Sequence, residues 1–380
     1  MTDRNPLRRL EKFGQSIWLD YIRRDLITSG ELQRLIEEDG LKGLTSNPAI
    51  FEKAIAGSQV YDEAIRRLAR QQKSVAEIYH ALTVEDVQMA ADLFWPLYNK
   101  RDGRDGFVSL EVNPHLARDT EGTIAEARQL WQAVNRPNIL IKVPGTQEGL
   151  PAITRLLSEG INVNVTLLFG LPRYEKVAEA YLAGLEARLA QGGSLKQVAS
   201  VASFFLSRID VLVDPLLEKI AAAGGPQAKA AWDLRGKVAI ACAKLAYGIY
   251  QRIFASARFQ ALAAQGARPQ RVLWASTSTK NPEYSDVKYV EPLIGPDTIN
   301  TLPPETLEAY REHGDPAARL EEGADRAAAV LQRLAELHLD LNQITQQLED
   351  EGIEKFIKPY DSLLKTLEAK RQALLQQTGI

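Results

Sequence analysis

Apolar residues follow two rhythms along this chain. Short apolar or alternating runs occur at "SIWLDYI" (16–22), "LKGLTSN" (41–47), "GFVSLEV" (106–112), "NILIKVP" (138–144), "INVNVTLLF" (161–169), "SVASFFL" (200–206), "RVLWAST" (271–277) and "DTINTLP" (297–303). Each reads as a β-strand. Between them, apolar residues recur every three or four positions, as in "TIAEARQLWQAV" (123–134) and "GLPAITRLLSEG" (149–160); the longest such stretch spans 62–99. That spacing predicts amphipathic helices, with Pro and Gly punctuating the joins. Strands alternating with helices predict βαβ units and a parallel sheet.

Eight strands over this span fit a (β/α)8 barrel, an α/β fold that takes about 250 residues before insertions. The rival is a doubly wound open sheet. No G-x-G-x-x-G follows the first strand, so nothing points to a bound dinucleotide. From about Pro316 onward the pattern is helical throughout. The expected organisation is a catalytic barrel over 1–315, with an extension over 316–380 belonging to the same domain. Two or three helices are expected there, packed on the barrel's outside or across one mouth. A coiled-coil arm is the alternative, disfavoured because Gly352 and Pro359 interrupt the period.

Some letters break the apolar pattern. Lys142 sits in the middle of a strand that is otherwise apolar on both faces. Asn162, Asn164 and Thr166 alternate with Ile161, Val163 and Val165, so one face carries all three polar groups. Glu111 shares a face with Ser109 near the end of its strand; Asp20 ends another run, and Thr45, Ser46 and Asn47 close a third. Taken singly, several have structural readings. Thr45, Ser46 and Asn47 before Pro48 look like a helix N-cap with proline at N1, and Asp20 could cap the next segment. A lone strand lysine usually snorkels to water. Together they read differently. Burying several unpaired polar groups on one face costs a few kcal/mol each, so they must satisfy one another or a ligand. In a barrel the C-terminal strand ends share one rim, where active sites lie.

Composition narrows the function. Of 380 residues, 45% are hydrophobic and 25% charged, with a net charge of −3. That is the balance of a globular protein with no strong field for nucleic acid or an anionic membrane. Cys242 is the only cysteine, which excludes an internal disulfide and a multi-cysteine zinc site; its alanine-rich surroundings read as helix core. His80, His115, His313 and His338 show no metal-ligand spacing. The charged N-terminus has no apolar leader segment, and no run reaches the roughly 18 apolar residues of a membrane span. A cytoplasmic protein is expected. A homo-oligomer is compatible with this sequence.

The polar set suggests a chemistry. Burial disfavours the ammonium form of a lysine, and the neutral amine attacks ketones to form a Schiff base. The protonated imine is an electron sink for cleaving the neighbouring C–C bond. A carboxylate such as Asp20 could take the proton of a substrate hydroxyl, and Glu111 with Thr166 could move protons through a water while the imine forms and breaks. Asn47 and Asn164 could hold the hydroxyls of a small ketose. No metal or cofactor is required.

These residues resemble the transaldolase family. "GLTSNPAIFEKAI" looks like its signature, "ILIKVPGTQEG" with "GINVNVTLLF" its Schiff-base strand and the strand after it, and "VSLEVNPHLARDT" its glutamate strand. The likeness runs from about Trp18 to Pro303, and the C-terminal extension resembles the longer bacterial members, some of which are fused to glucose-6-phosphate isomerase. The resemblance implies that Lys142 forms the imine, Asp20 is the acid/base at the cleaved bond, Glu111 shuttles protons through a water held by Thr166, and Asn47 and Asn164 grip a dihydroxyacetone unit. In "VASFFLSRIDVLVD" it implies a site serine (Ser203), an aromatic near the lysine (Phe205) and a phosphate-binding arginine (Arg208). The implied reaction belongs to the non-oxidative pentose phosphate pathway: a dihydroxyacetone unit passes from sedoheptulose 7-phosphate to glyceraldehyde 3-phosphate, giving erythrose 4-phosphate and fructose 6-phosphate. One motif departs from the shorter members. They carry Ser-Phe-Arg where this chain has "WASTSTKNP"; Ser276 matches the serine, no arginine follows, and Lys280 is the nearest cation for a second phosphate contact. Two rivals are kept: a fructose-6-phosphate aldolase-type lyase, which has Gln and Tyr at the positions of Glu111 and Phe205, and a non-catalytic sugar-phosphate sensor.

Overall fold

The computed structural model describes residues 5–376; the ends of both expected spans, 1–4 and 377–380, lie outside them. Eight strands close into a barrel in chain order. They are β1 Gln15–Asp20, β2 Gly43–Thr45, β3 Phe107–Glu111, β4 Ile139–Pro144, β5 Val163–Leu168, β6 Ser200–Phe205, β7 Arg271–Ala275 and β8 Thr298–Leu302. Every neighbouring pair is parallel, and β8 returns to β1 with Gln15 opposite Thr298 and Leu19 opposite Leu302. All eight strands expected from the pattern are present, so the fold is a (β/α)8 barrel and not an open sheet. Burial on both faces explains their near-continuous apolar character.

The alternation of two orders the interior into layers. On β1, Ser16, Trp18 and Asp20 share a face. At the N-terminal end Ser16 meets a buried ion pair, Arg271 Nη2 to Asp105 Oδ1 at 2.9 Å. Trp18 is fully buried above it. Its indole lies where a side chain on Gly43 would go, since a Cβ there would sit 2.4 Å from the ring; the short β2 depends on that glycine. Asp20 completes the face at the C-terminal rim.

Helices wrap the outside, among them Pro48–Ala56 after β2, Thr120–Val134 after β3, Gly149–Ser158 after β4, Leu171–Ala190 after β5 and Ser207–Ala222 after β6. The 62–99 stretch is not continuous. It divides into Asp62–Arg70 and Val75–Lys100. Gln72 turns the chain with a φ of 57°, and Ser74 starts the second helix with a capping box to Glu77, which satisfies two of its first free N–H groups.

Beyond β8 the chain is helical at Pro304–His313, Ala324–Glu336 and Leu341–Gln376. The last of these runs unbroken through Gly352 and Pro359, contrary to the expected interruption. Its buried stripe (Ile344, Leu348, Phe356, Leu363, Leu367) recurs at helical spacing. It packs along Pro48–Ala56, Asp62–Arg70, Val75–Lys100 and Ser207–Ala222 and reaches the end of β5. Part of it therefore lies beside the C-terminal mouth of the barrel.

Candidate active site

The register places the ionisable groups side by side. Glu111 on β3 is opposite Lys142 on β4, and Lys142 is opposite Asn164 on β5; on the adjoining pair of strands Asp20 on β1 is opposite Thr45 on β2. Lys142 does not snorkel. It is 4% exposed, its Nζ donates to the Ser46 carbonyl at 2.9 Å, and it lies 3.2 Å from Glu111 Oε2. That approach is off the hydrogen-bonding direction, so neither Glu111 oxygen has an aligned donor among the described residues.

Burial pushes the Glu111 carboxyl up to about 7, against the opposing pull of Lys142 and Arg208. It also raises Asp20, with Lys142 and Thr45 opposing. Asp20 is not a helix cap: its Oδ1 accepts from Thr45 Oγ1 at 2.7 Å, and the next helix begins after Arg23. Thr45 Oγ1 is also 2.7 Å from Thr301 Oγ1, tying β2 to β8. Thr166 Oγ1 is buried and unpartnered.

Asn164 within β5 and Asn162 just before it separate by role. Asn164 is held on both sides, donating to Ser109 Oγ at 3.1 Å and accepting from Ser203 Oγ at 2.7 Å. Asn162 belongs to the opposite end of the strand, where its amide donates to the Pro137 and Ile139 carbonyls and accepts from Ala199 N; its role is to join strand starts. Asn47 caps the helix Pro48–Ala56 through Oδ1, 3.0 Å from Ile50 N, with Pro48 at N1, and also borders the site cavity.

That cavity, ≈ 550 Å³, opens over the C-terminal strand ends and is bordered by Asp20, Lys142, Thr166, Ser203, Phe205 and Arg208. Arg208 is in the first turn of the helix after β6, its guanidinium carbon 5.3 Å from the Phe205 ring and 5.8 Å from the Phe356 ring. Its Nη1 is buried without a partner, so a donor is left for an anion. Ser276 follows β7 with a φ of 55° and shares a 2.8 Å hydroxyl contact with Ser207. Lys280 is exposed at the rim and donates to Ser278. Sequence reasoning missed the Ser46 carbonyl, a backbone atom that no letter signals, as well as Lys355 and Phe356, which enter the cavity wall from the C-terminal helix. Their pattern is that of any amphipathic helix, and nothing in it points at a site.

Cys242 is buried in the helix Val238–Phe254, where burial pushes its thiol up to about 12. His115 and His313 pair with Asp361 and Asp286, and His80 faces Glu126. No cluster of three His, Cys, Asp or Glu suited to a metal occurs among the described residues.

A closed parallel barrel that gathers carboxylates and amides around one buried rim lysine is the architecture of a barrel enzyme acting on carbonyl compounds. Comparison with known proteins narrows the class. The family described as Transaldolase/Fructose-6-phosphate aldolase matches residues 17–367, and the chain belongs to it. A transaldolase of Trichodesmium erythraeum is 51% identical over 374 residues, covering 97% of this chain and 98% of that protein. Transaldolases of Thiobacillus denitrificans and Saccharopolyspora erythraea are each 49% identical, over 360 and 368 residues, covering 95% and 97% of this chain and 99% and 98% of those proteins.

Proposed function

We propose that this chain is a transaldolase, moving a dihydroxyacetone unit from sedoheptulose 7-phosphate to glyceraldehyde 3-phosphate through a Schiff base on Lys142. The carrying observation is the buried contact between Lys142 and Glu111 at the mouth of a cavity large enough for a sugar phosphate. The Lys142 amine adds to the donor's ketone carbon. Glu111, poised near neutrality, gives a proton to the departing hydroxyl, and water leaves as the imine forms. The unpartnered Thr166 hydroxyl and Glu111 oxygens suit a water relaying that proton. Asp20 takes the proton from the hydroxyl beside the C–C bond, the bond breaks, and its electrons pass into the imine. The aldose product leaves, the acceptor aldehyde enters, and the steps reverse.

Asn164, pre-set by Ser109 and Ser203, and Asn47 hold the hydroxyls of the three-carbon unit. Arg208 takes the phosphate with its free Nη1, and Ser276 and Lys280 border the same side. The reading also puts the enzyme in the cytoplasm, among its sugar-phosphate substrates; no helix among the described residues is long and apolar enough to cross a membrane.

Borohydride reduction in the presence of fructose 6-phosphate tests the proposal: a stable adduct should form on Lys142. Absence of covalent mass would leave a sugar-phosphate sensor. Product formed from fructose 6-phosphate at full rate with no acceptor aldehyde would make the chain a lyase.

A further inference from the structure

Lys142 is reached past a residue outside the eight βα units. Phe356, on the helix Leu341–Gln376, is 4% exposed. Its ring centroid lies 5.6 Å from Lys142 Nζ and 5.8 Å from the Arg208 guanidinium carbon. With Phe205 it encloses Arg208, and Phe169, 5.3 Å from Phe205, extends the same apolar wall. The helix is held close at Gly352, where a Cβ would lie 3.0 Å from Leu167 Cδ2. Leu167 itself is turned to a φ of 61° at a register shift in β5, so strand and helix are shaped to each other.

We infer that Phe356 is a specificity-determining residue that favours transfer over release by keeping water from the three-carbon intermediate. This inference rests on the imine reading above. After the donor is cleaved, Lys142 holds the dihydroxyacetone unit as an enamine. In transfer, the enamine carbon forms a bond to the acceptor's aldehyde carbon, and the aldehyde oxygen takes the proton held by Asp20. In release, the same carbon takes a proton instead, giving an imine. Water then adds to the imine carbon, the C–N bond breaks, and free dihydroxyacetone leaves with the water's oxygen, returning the amine to Lys142. Both routes share every catalytic group, and both end with water adding to an imine and freeing the product; only release needs solvent to bring a proton to the enamine carbon while no acceptor is bound. An aromatic ring over the nitrogen opposes that step by displacing solvent from the enamine.

The test uses the full chain with fructose 6-phosphate, measuring free dihydroxyacetone without acceptor and transfer with acceptor. Phe356→Ala and Phe356→Val should each raise the release-to-transfer ratio about tenfold, and Phe356→Leu, which keeps most of the apolar bulk, should stay near the wild-type ratio. Valine keeps a helix contact if alanine destabilises the packing. An unchanged ratio in folded Phe356→Val, whatever the absolute rates, would overturn the inference, because a packing role alone slows both routes together. Borohydride trapping on the wild type separates the two levels: if no adduct forms there, the imine reading fails and the ratio is not at issue.

Discussion

Glu111 and Lys142 face each other across the β3–β4 ladder with 3.2 Å between Oε2 and Nζ. The strand register alone sets this contact, without a loop or a mobile segment, so both groups are held rigidly at the rim. Removing the amine should remove the chemistry and spare the fold. Lys142→Met fills similar volume with an apolar chain, and Glu111, already raised to about 7, can meet the loss of its partner by taking a proton. The variant should fold, give no borohydride adduct, and lose turnover at least about a thousandfold.

The Glu111 carboxyl gives the reaction a pH signature. Its folded pKa is raised from 4.5 to about 7 by burial. Below that value it carries the proton that the departing hydroxyl needs, and above it the donor is lost. The pre-steady-state rate of imine formation should therefore bend downward with an inflection near 7. Glu111→Gln has no proton to lose, so its rate should lack that inflection and be slower by about 10²–10³. A retained inflection would assign the titration to another group.

Much of this is legible in the sequence, and the reasons are local. Eight strands announce themselves because parallel barrel strands are apolar on both faces, and a polar letter stands out against that background. Asp20, Glu111, Lys142, Asn164 and Thr166 stand out that way, yet the same signal marks Asn162, which serves the other end of β5. Period two gives the face of a strand and not the height along it; the depth of Asn162 depends on where β5 begins, at Val163. The cap at Asn47 was visible because Pro48 follows it, and the cap role does not exclude a place on the cavity wall. Phe356 was invisible because a helix buries its apolar stripe against whatever it packs on, here partly the site mouth. Gly352 and Pro359 misled for the opposite reason: tertiary packing along the helix outweighs their low helix propensity.

Phosphate recognition should divide unequally between Arg208 and Lys280, two of the cations on the cavity wall. Arg208 Nη1 is buried and unpartnered, so its loss removes a charge-assisted bond of about 1.5–3 kcal/mol. Arg208→Ala should raise KM for fructose 6-phosphate roughly ten- to a hundredfold and leave the slow use of unphosphorylated fructose little changed. Lys280 is exposed and already donates to Ser278; Lys280→Ala should raise KM by a smaller factor, and an unchanged KM would remove it from the phosphate site.

The N-terminal end of the barrel should carry stability and no chemistry. Asp105 accepts from Arg271 Nη2 and from Ser16 Oγ, and all three are buried. Asp105→Ala leaves the Arg271 guanidinium with only the Ser16 hydroxyl and the Arg104 carbonyl as partners, a charge no longer compensated inside the barrel. Breaking one side of such a pair costs about 3–5 kcal/mol, which denaturant titration would read as a lower midpoint at unchanged slope. The Lys142–Glu111 contact belongs to the opposite rim, so kcat measured well below the unfolding temperature should stay within about twofold of wild type. The reverse result, intact stability with lost turnover, would mean that the buried Arg271–Asp105 pair couples through the barrel to the rim, and the division of the barrel into a stabilising end and a reacting end would be wrong for this chain.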